Sequence, residues 1–140
     1  MSQVAATASR PSPSRRIPAL LCVFAARLLA RASPRRIRRV LELLRTGARP
    51  ASHAGTAAAR DDITGSSTLC RGRRHCLRRS LAVALLCRLR GTWPTWCTGV
   101  RTAPFAAHAW VEAEGRPVGE EGDDRLYHTI MSVGPSSPAR

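Results

Sequence analysis

Three residues in this chain have the types and contexts for covalent acyl chemistry. Cys76 stands at the mouth of an apolar, helix-like run, "HCLRRSLAVALLCRLRG", residues 75–91. A thiol at a helix N-terminus feels the positive end of the helix dipole, and Arg73, Arg74 and Arg78 add charge of the same sign. Both effects favour the thiolate, which is the nucleophilic form. His108 lies in the strand-like stretch "FAAHAWVEAEG". Taken singly, a free cysteine is commonly a small core residue and a strand histidine commonly pairs with a surface acid. Taken together with a carboxylate that orients the imidazole, they make a nucleophile and its base.

Turn chemistry nominates the carboxylate. In "HAWVEAEGRPVGE", a two-residue turn at Glu114-Gly115 demands φ > 0 at Glu114, which is unfavourable. A three-residue loop, Ala113-Glu114-Gly115, puts glycine at the left-handed position instead. In that register Glu112 faces Arg116, Trp110 faces Val118 and His108 faces Glu120, with Cβ atoms about 5 Å apart. A slip of one residue brings Glu121 to that face instead. Trp110 shares the His108 face, so it either lines a substrate cleft or packs in the core.

The elements that must position these groups are legible from periodicity. Ile17, Leu20, Leu21, Phe24 and Leu28 recur at helical spacing. Ser33-Pro34 signals the next helix start, Ile37, Val40, Leu41 and Leu44 form its stripe, and Gly47 suits its stop. These two helices read as a pair. Residues 47–70 read as a loop with a short Ala-rich helix around Thr56–Arg60. Leu77, Leu81, Leu85 and Leu89 stripe the Cys76 helix, which Gly91 ends. After Gly91 the pattern turns to strands: about Thr95 to Arg101, then Phe105 to Ala113, then "RPVGE". Helices followed by a small antiparallel sheet predict an α+β fold. The domain spans residues 17–133, between a disordered Ser/Pro/Arg-rich tail, 1–16, and a flexible tail, 134–140.

Composition bounds the function. The chain has 140 residues and a net charge of +14, and its basic residues are all arginine. The charge is uneven: the first fifty residues hold a single acid, Glu42, while six of the nine acids fall between Glu112 and Asp124. The basic half could contact nucleic acid, an acidic peptide or, peripherally, a membrane surface. No nucleic-acid reader motif is visible, so no nucleic-acid partner is expected. The apolar run from Ile17 to Ala26 is too short to span a bilayer. Five cysteines without framework spacing indicate free thiols in a reducing, cytoplasmic setting. Cys22, Cys87 and Cys97 read as core. Cys70, His75 and Cys76 lack a fourth ligand and regular spacing, so no metal is expected.

At these residues the chain resembles a known family. "CLRRSLAVALLCRLRG" followed by "CTGVRTAPFAAHAWVEAEGRPVGE" is similar to the lasso-peptide biosynthesis B proteins, leader peptidases of the transglutaminase-like, papain-related superfamily. The likeness covers about residues 17–133 and is strongest from Cys76 to Glu120. It implies a cysteine peptidase that removes the leader from a ribosomally made lasso precursor peptide, with Cys76 as nucleophile, His108 as general base and Glu120 as orienting acid. The family's third member is usually Asp, and Glu stands here. Too few residues precede the helices for the leader-recognition domain that some relatives carry. The resemblance therefore implies the split, protease-only form, working with a separate PqqD-like recognition protein and a cyclase resembling asparagine synthetase. It implies no cofactor for hydrolysis; a nucleotide requirement is left open.

Two rival activities stay in view. The same site could pass the acyl group to an amine instead of water. Alternatively, the charge could make the chain a basic nucleic-acid-binding protein.

Overall fold

The computed structural model describes residues 12–67, 75–102, 105–119 and 127–136. Helix α1 (Pro13–Leu29) opens on a proline at its first position, where the missing N–H is one no helix uses. It therefore begins within the segment expected to be disordered, and residues 13–16 are helical. Helix α2 (Pro34–Leu44) starts as expected: Ser33 caps it by accepting the Arg36 N–H at 3.3 Å. Helix α3 (His53–Ser66) is longer than the short helix anticipated. Buried Thr56 and Ala59, with half-buried Ala57, give it a small-residue face, and the helix packs on α1 and on α4 (Cys76–Leu89).

The first helix buries the face opposite to the one its large residues suggest. Ala19, Cys22, Val23 and Ala26 enter the core, whereas Ile17, Leu21, Phe24 and Leu28 point outward. The reason lies in the partner. Helix α4 is buried nearly all round over Leu81–Ala84, and small residues on α1 let the two axes approach closely. Packing also departs from the expected pairing, since α1 sits chiefly on α3 and α4 rather than on α2. The α2 helix is held instead by Arg88 of α4, which donates to the Leu44 carbonyl at 2.6 Å and the Thr46 carbonyl at 3.2 Å. These satisfy carbonyls that a helix C-terminus leaves without partners.

Two short strands, β1 (Arg49–Pro50) and β2 (Thr92–Trp93), pair in parallel. The main sheet comprises β3 (Thr95–Thr102), β4 (Phe105–Ala113), β5 (Arg116–Pro117) and β6 (His128–Val133), in the order β5-β4-β3-β6 with antiparallel neighbours. The class is α+β, as expected. Strand β4 matches its predicted limits, while β6 was not anticipated. Trp93 and Trp96 fill the seam between helices and sheet; their indole N–H groups donate to the Val133 carbonyl at 3.1 Å and to Ser80 Oγ at 3.0 Å. No described helix is long and apolar enough to cross a membrane.

The hairpin between β4 and β5 corrects the predicted register. The turn has two residues, with Glu114 at φ 55° and Gly115 at φ 76°. Ala113 pairs with Arg116 and Glu112 with Pro117, and Val118 N–H bonds the Val111 carbonyl at 2.9 Å. Neither the Glu112–Arg116 pair nor the Trp110–Val118 pair forms. The left-handed backbone at Glu114 costs about 1 kcal/mol. A tertiary contact offsets it: the Glu114 carboxylate accepts the His53 backbone N–H at 2.9 Å, at the positive end of α3. His53 Nε2 also meets the Pro117 carbonyl at 3.2 Å, which docks the hairpin against the same helix start.

Candidate active site

The site begins where the start of α4 meets β4. Cys76 is the first residue of α4 and is half-buried. Alternate residues of a strand turn their N–H and C=O groups to the same neighbour. The Val118–Val111 bond therefore identifies the β5 side of β4, and the Ala109 N–H, two residues back, points the same way. Strand β5 ends at Pro117, short of that level. There the Ala109 backbone and the His108 side chain both act on the acidity of the Cys76 thiol through hydrogen bonding.

These contacts set the acidity of the thiol. Burial alone raises its pKa by penalising the thiolate. The hydrogen bond with His108, the Ala109 N–H, the charge of His108 and that of Arg79 together outweigh burial, leaving Cys76 below the ordinary thiol value of 9.0. Arg79, not Arg78, supplies the guanidinium effect: it lies three residues on from Cys76 and shares its helix face, as i, i+3 spacing dictates. Arg73 and Arg74 lie outside the described residues. The remaining described cysteines behave oppositely. Burial pushes Cys22 to about 11, Cys87 to about 11 and Cys97 to about 12. Their exposures are 4%, 1% and 2%, so they are core residues, as expected.

His108 is fixed by aromatic neighbours. Its ring stacks on Trp110 at 5.5 Å between centroids and 17° between planes, and Tyr127 lies 5.2 Å away on a tilted plane. Arg101 sits over Tyr127 at 5.5 Å. Trp110 is anchored in turn by its indole N–H, which donates to Glu112 at 2.9 Å. It is buried, yet it also lines a small pocket with Arg60, Arg79, Ser80 and Val118, between α3, α4 and β4. Trp110 is thus a buried residue that borders a small void, and neither Cys76 nor His108 lines that void.

Of the three residues the sequence singled out, Cys76 and His108 meet. Glu120 and its alternative Glu121 lie outside the described residues. The observed register removes the ladder argument that preferred Glu120, because that argument needed a three-residue loop. Sequence reasoning also overlooked the Ala109 N–H, Arg79 and Tyr127. Only Arg79 carried a readable signal, its spacing from Cys76.

A family model, the transglutaminase-like superfamily, matches residues 19–133, which is most of the chain. The chain belongs to the transglutaminase-like superfamily. No curated protein and no solved structure gives a significant match. Transglutaminase-like proteins are typically cysteine-dependent enzymes, acting as proteases or acyl transferases. A helix-borne thiol, acidified by a strand imidazole, agrees with that membership. The match spans α1 through β6, so the superfamily unit includes both the helices and the strand that holds Val133.

Proposed function

We propose that this protein is a cysteine endopeptidase that removes the leader from a lasso precursor peptide. The observation that carries the reading is the Cys76–His108 hydrogen bond with the thiol acidified beside it. Support for the substrate comes from the motif resemblance of residues 76–120 to lasso-peptide B proteins. Cys76 thiolate attacks the carbonyl at the leader–core junction, forming a tetrahedral intermediate. His108, now protonated, gives its proton to the departing amine of the core peptide. It then takes a proton from water, which hydrolyses the thioester and frees the leader carboxylate. General acid–base work of this kind contributes roughly 10²–10⁴-fold.

The backbone N–H of Cys76, the first residue of α4, is the proposed donor to the developing oxyanion. The orienting acid is Glu120 by family resemblance, with Glu121 as the alternative. A PqqD-like recognition protein presents the leader, and an asparagine-synthetase-like cyclase takes the new amine. The reaction needs no cofactor for its bond changes, and its setting is the cytoplasm.

The test is mass-spectrometric detection of leader cleavage, with and without the recognition protein. Wild type is compared with Cys76→Ala, His108→Ala, Glu120→Ala and Glu121→Ala. The first two should fall to background, and one of the two glutamate variants should lose far more activity than the other. Full cleavage by Cys76→Ala would sink the reading. Superfamily membership equally supports acyl transfer to an amine. A labelled amine in the reaction separates the two, because transfer leaves it on the leader whereas hydrolysis leaves a free carboxylate.

A further inference from the structure

Helix α1 has two apolar faces, and the fold uses one. Ala19, Cys22, Val23 and Ala26 are buried. On the opposite face Ile17, Leu21, Phe24 and Leu28, at i, i+4, i+7 and i+11, are 61%, 63%, 61% and 53% exposed, with Leu20 beside them at 38%. One amphipathic stripe is enough to dock a helix on a core. A second stripe of large side chains left in water marks a surface that something covers.

The chemistry of the rim indicates what that is. On a helical projection Arg16 and Arg27 run along one flank of the outer stripe. Arg31, Arg35, Arg36, Arg38 and Arg39 are exposed on α2 and between α1 and α2, whereas Arg15 lies toward the buried side of α1 beside Asp62. Glu42 is the sole acid among the first fifty residues, and Arg38 engages it at 3.2 Å. An apolar helix face bordered by arginines and nearly free of acids suits a helix lying in the plane of a membrane interface. Its apolar groups enter the acyl boundary while the guanidinium groups stay at the phosphates. No described helix could cross the bilayer, so the contact is peripheral.

We propose that the outer face of α1 docks this protein on an anionic lipid surface. The proposal is independent of the peptidase reading. Its test is co-sedimentation of the full chain with vesicles of phosphatidylglycerol and phosphatidylcholine in equal parts, and with phosphatidylcholine alone. Wild type should bind the anionic vesicles, more weakly as salt rises, and bind neutral ones at least tenfold less. Leu21→Glu/Phe24→Glu should weaken anionic binding at least tenfold while keeping the wild-type thermal melt. Leu89→Glu, at an exposed leucine on α4 remote in sequence from the stripe, should bind as wild type does.

Equal binding to both vesicle types, or unchanged binding by the double variant, would overturn the proposal. So would a wild-type dimer in solution that the double variant abolishes, since a second copy would then be the occupant. Loss of leader cleavage by the folded double variant in a vesicle-free reaction would assign the face to a protein partner instead. Absence of cleavage by wild type would count against the peptidase reading alone and leave the vesicle result to decide this one.

Discussion

Gly99 stands directly across the β3–β4 ladder from His108, and a side chain at that position has no room. A Cβ there would lie 2.6 Å from the His128 carbonyl oxygen and 3.0 Å from the Trp110 ring. The β3–β6 pairing shifts register between Thr98 and Gly99, and this brings the His128 backbone inward. The glycine thus lets β6 close on β3 while leaving Trp110 free to stack on His108. Gly99→Ala should destabilise the protein by about 1–3 kcal/mol through overpacking. It should also lower activity in the folded fraction, because the ring under His108 must move. Urea unfolding checks the first effect and leader cleavage below the transition checks the second. An unchanged midpoint would show that the sheet yields here freely.

The acidified thiol should be visible without any substrate. At pH 7 to 8, iodoacetamide should modify Cys76 ahead of Cys22, Cys87 and Cys97, which burial holds at about 11, 11 and 12. Peptide mapping reads the sites separately. The rate at Cys76 should rise with pH through a midpoint below 9.0, since its pKa is lowered. His108→Ala removes both the hydrogen bond and the imidazolium charge, so that midpoint should move upward. A midpoint unmoved by this substitution would mean that His108 does not govern the thiol.

Alkaline stability follows from the same buried thiols. The folded-state pKa values of Cys22, Cys87 and Cys97 are raised above 9.0, so the unfolded chain gives up these protons first. Their contribution is full below pH 9 and is lost as pH rises through about 11 to 12. Cys76 has the opposite sign: its lowered folded-state pKa favours the fold above 9.0, and that gain is lost as pH falls through the folded value. Urea midpoints should therefore decline between pH 9 and 11. Cys97→Ala should flatten part of that decline, and a slope identical to wild type would exclude Cys97 as a source.

Ser80 ties the Cys76 helix to the sheet. Its hydroxyl accepts the Trp96 indole N–H at 3.0 Å and donates to the Leu77 carbonyl at 3.0 Å, one turn from Cys76. Ser80→Ala strands a buried N–H and should cost about 1–3 kcal/mol. Trp96→Phe in the Ser80→Ala background removes the stranded donor. The double variant should then be more stable than the sum of the two single losses implies, as a double-mutant cycle would read. Strict additivity would mean that the bond contributes nothing.

Local chemistry carried much of this protein into its sequence. Ser33-Pro34 opens α2, Gly91 at φ 88° closes α4, and Phe105–Ala113 is a strand at the limits its pattern predicts. The position of the acidified thiol was legible for the same reason, since Cys76 and the helix start that bears it are neighbours along the chain. Strand β6 was not legible, because its pairing with β3 is long-range and "HTIMSV" has no punctuation to announce it.

By itself the sequence determined α2, α4 and the strands β3 and β4, and that a cysteine is borne on a helix and a histidine on a strand. It could not determine which side of α1 is buried, because two apolar stripes compete there. The small-residue stripe wins when α4 sits close enough to reward it. Nor could it determine the β4–β5 register. Glycine preference favoured a three-residue loop, but the Glu114 carboxylate reaches the first N–H of α3, sixty-one residues back, and holds a two-residue turn. Backbone preferences of about 1 kcal/mol are settled by whichever distant partner the fold brings within hydrogen-bonding distance, and a local pattern holds no record of that partner.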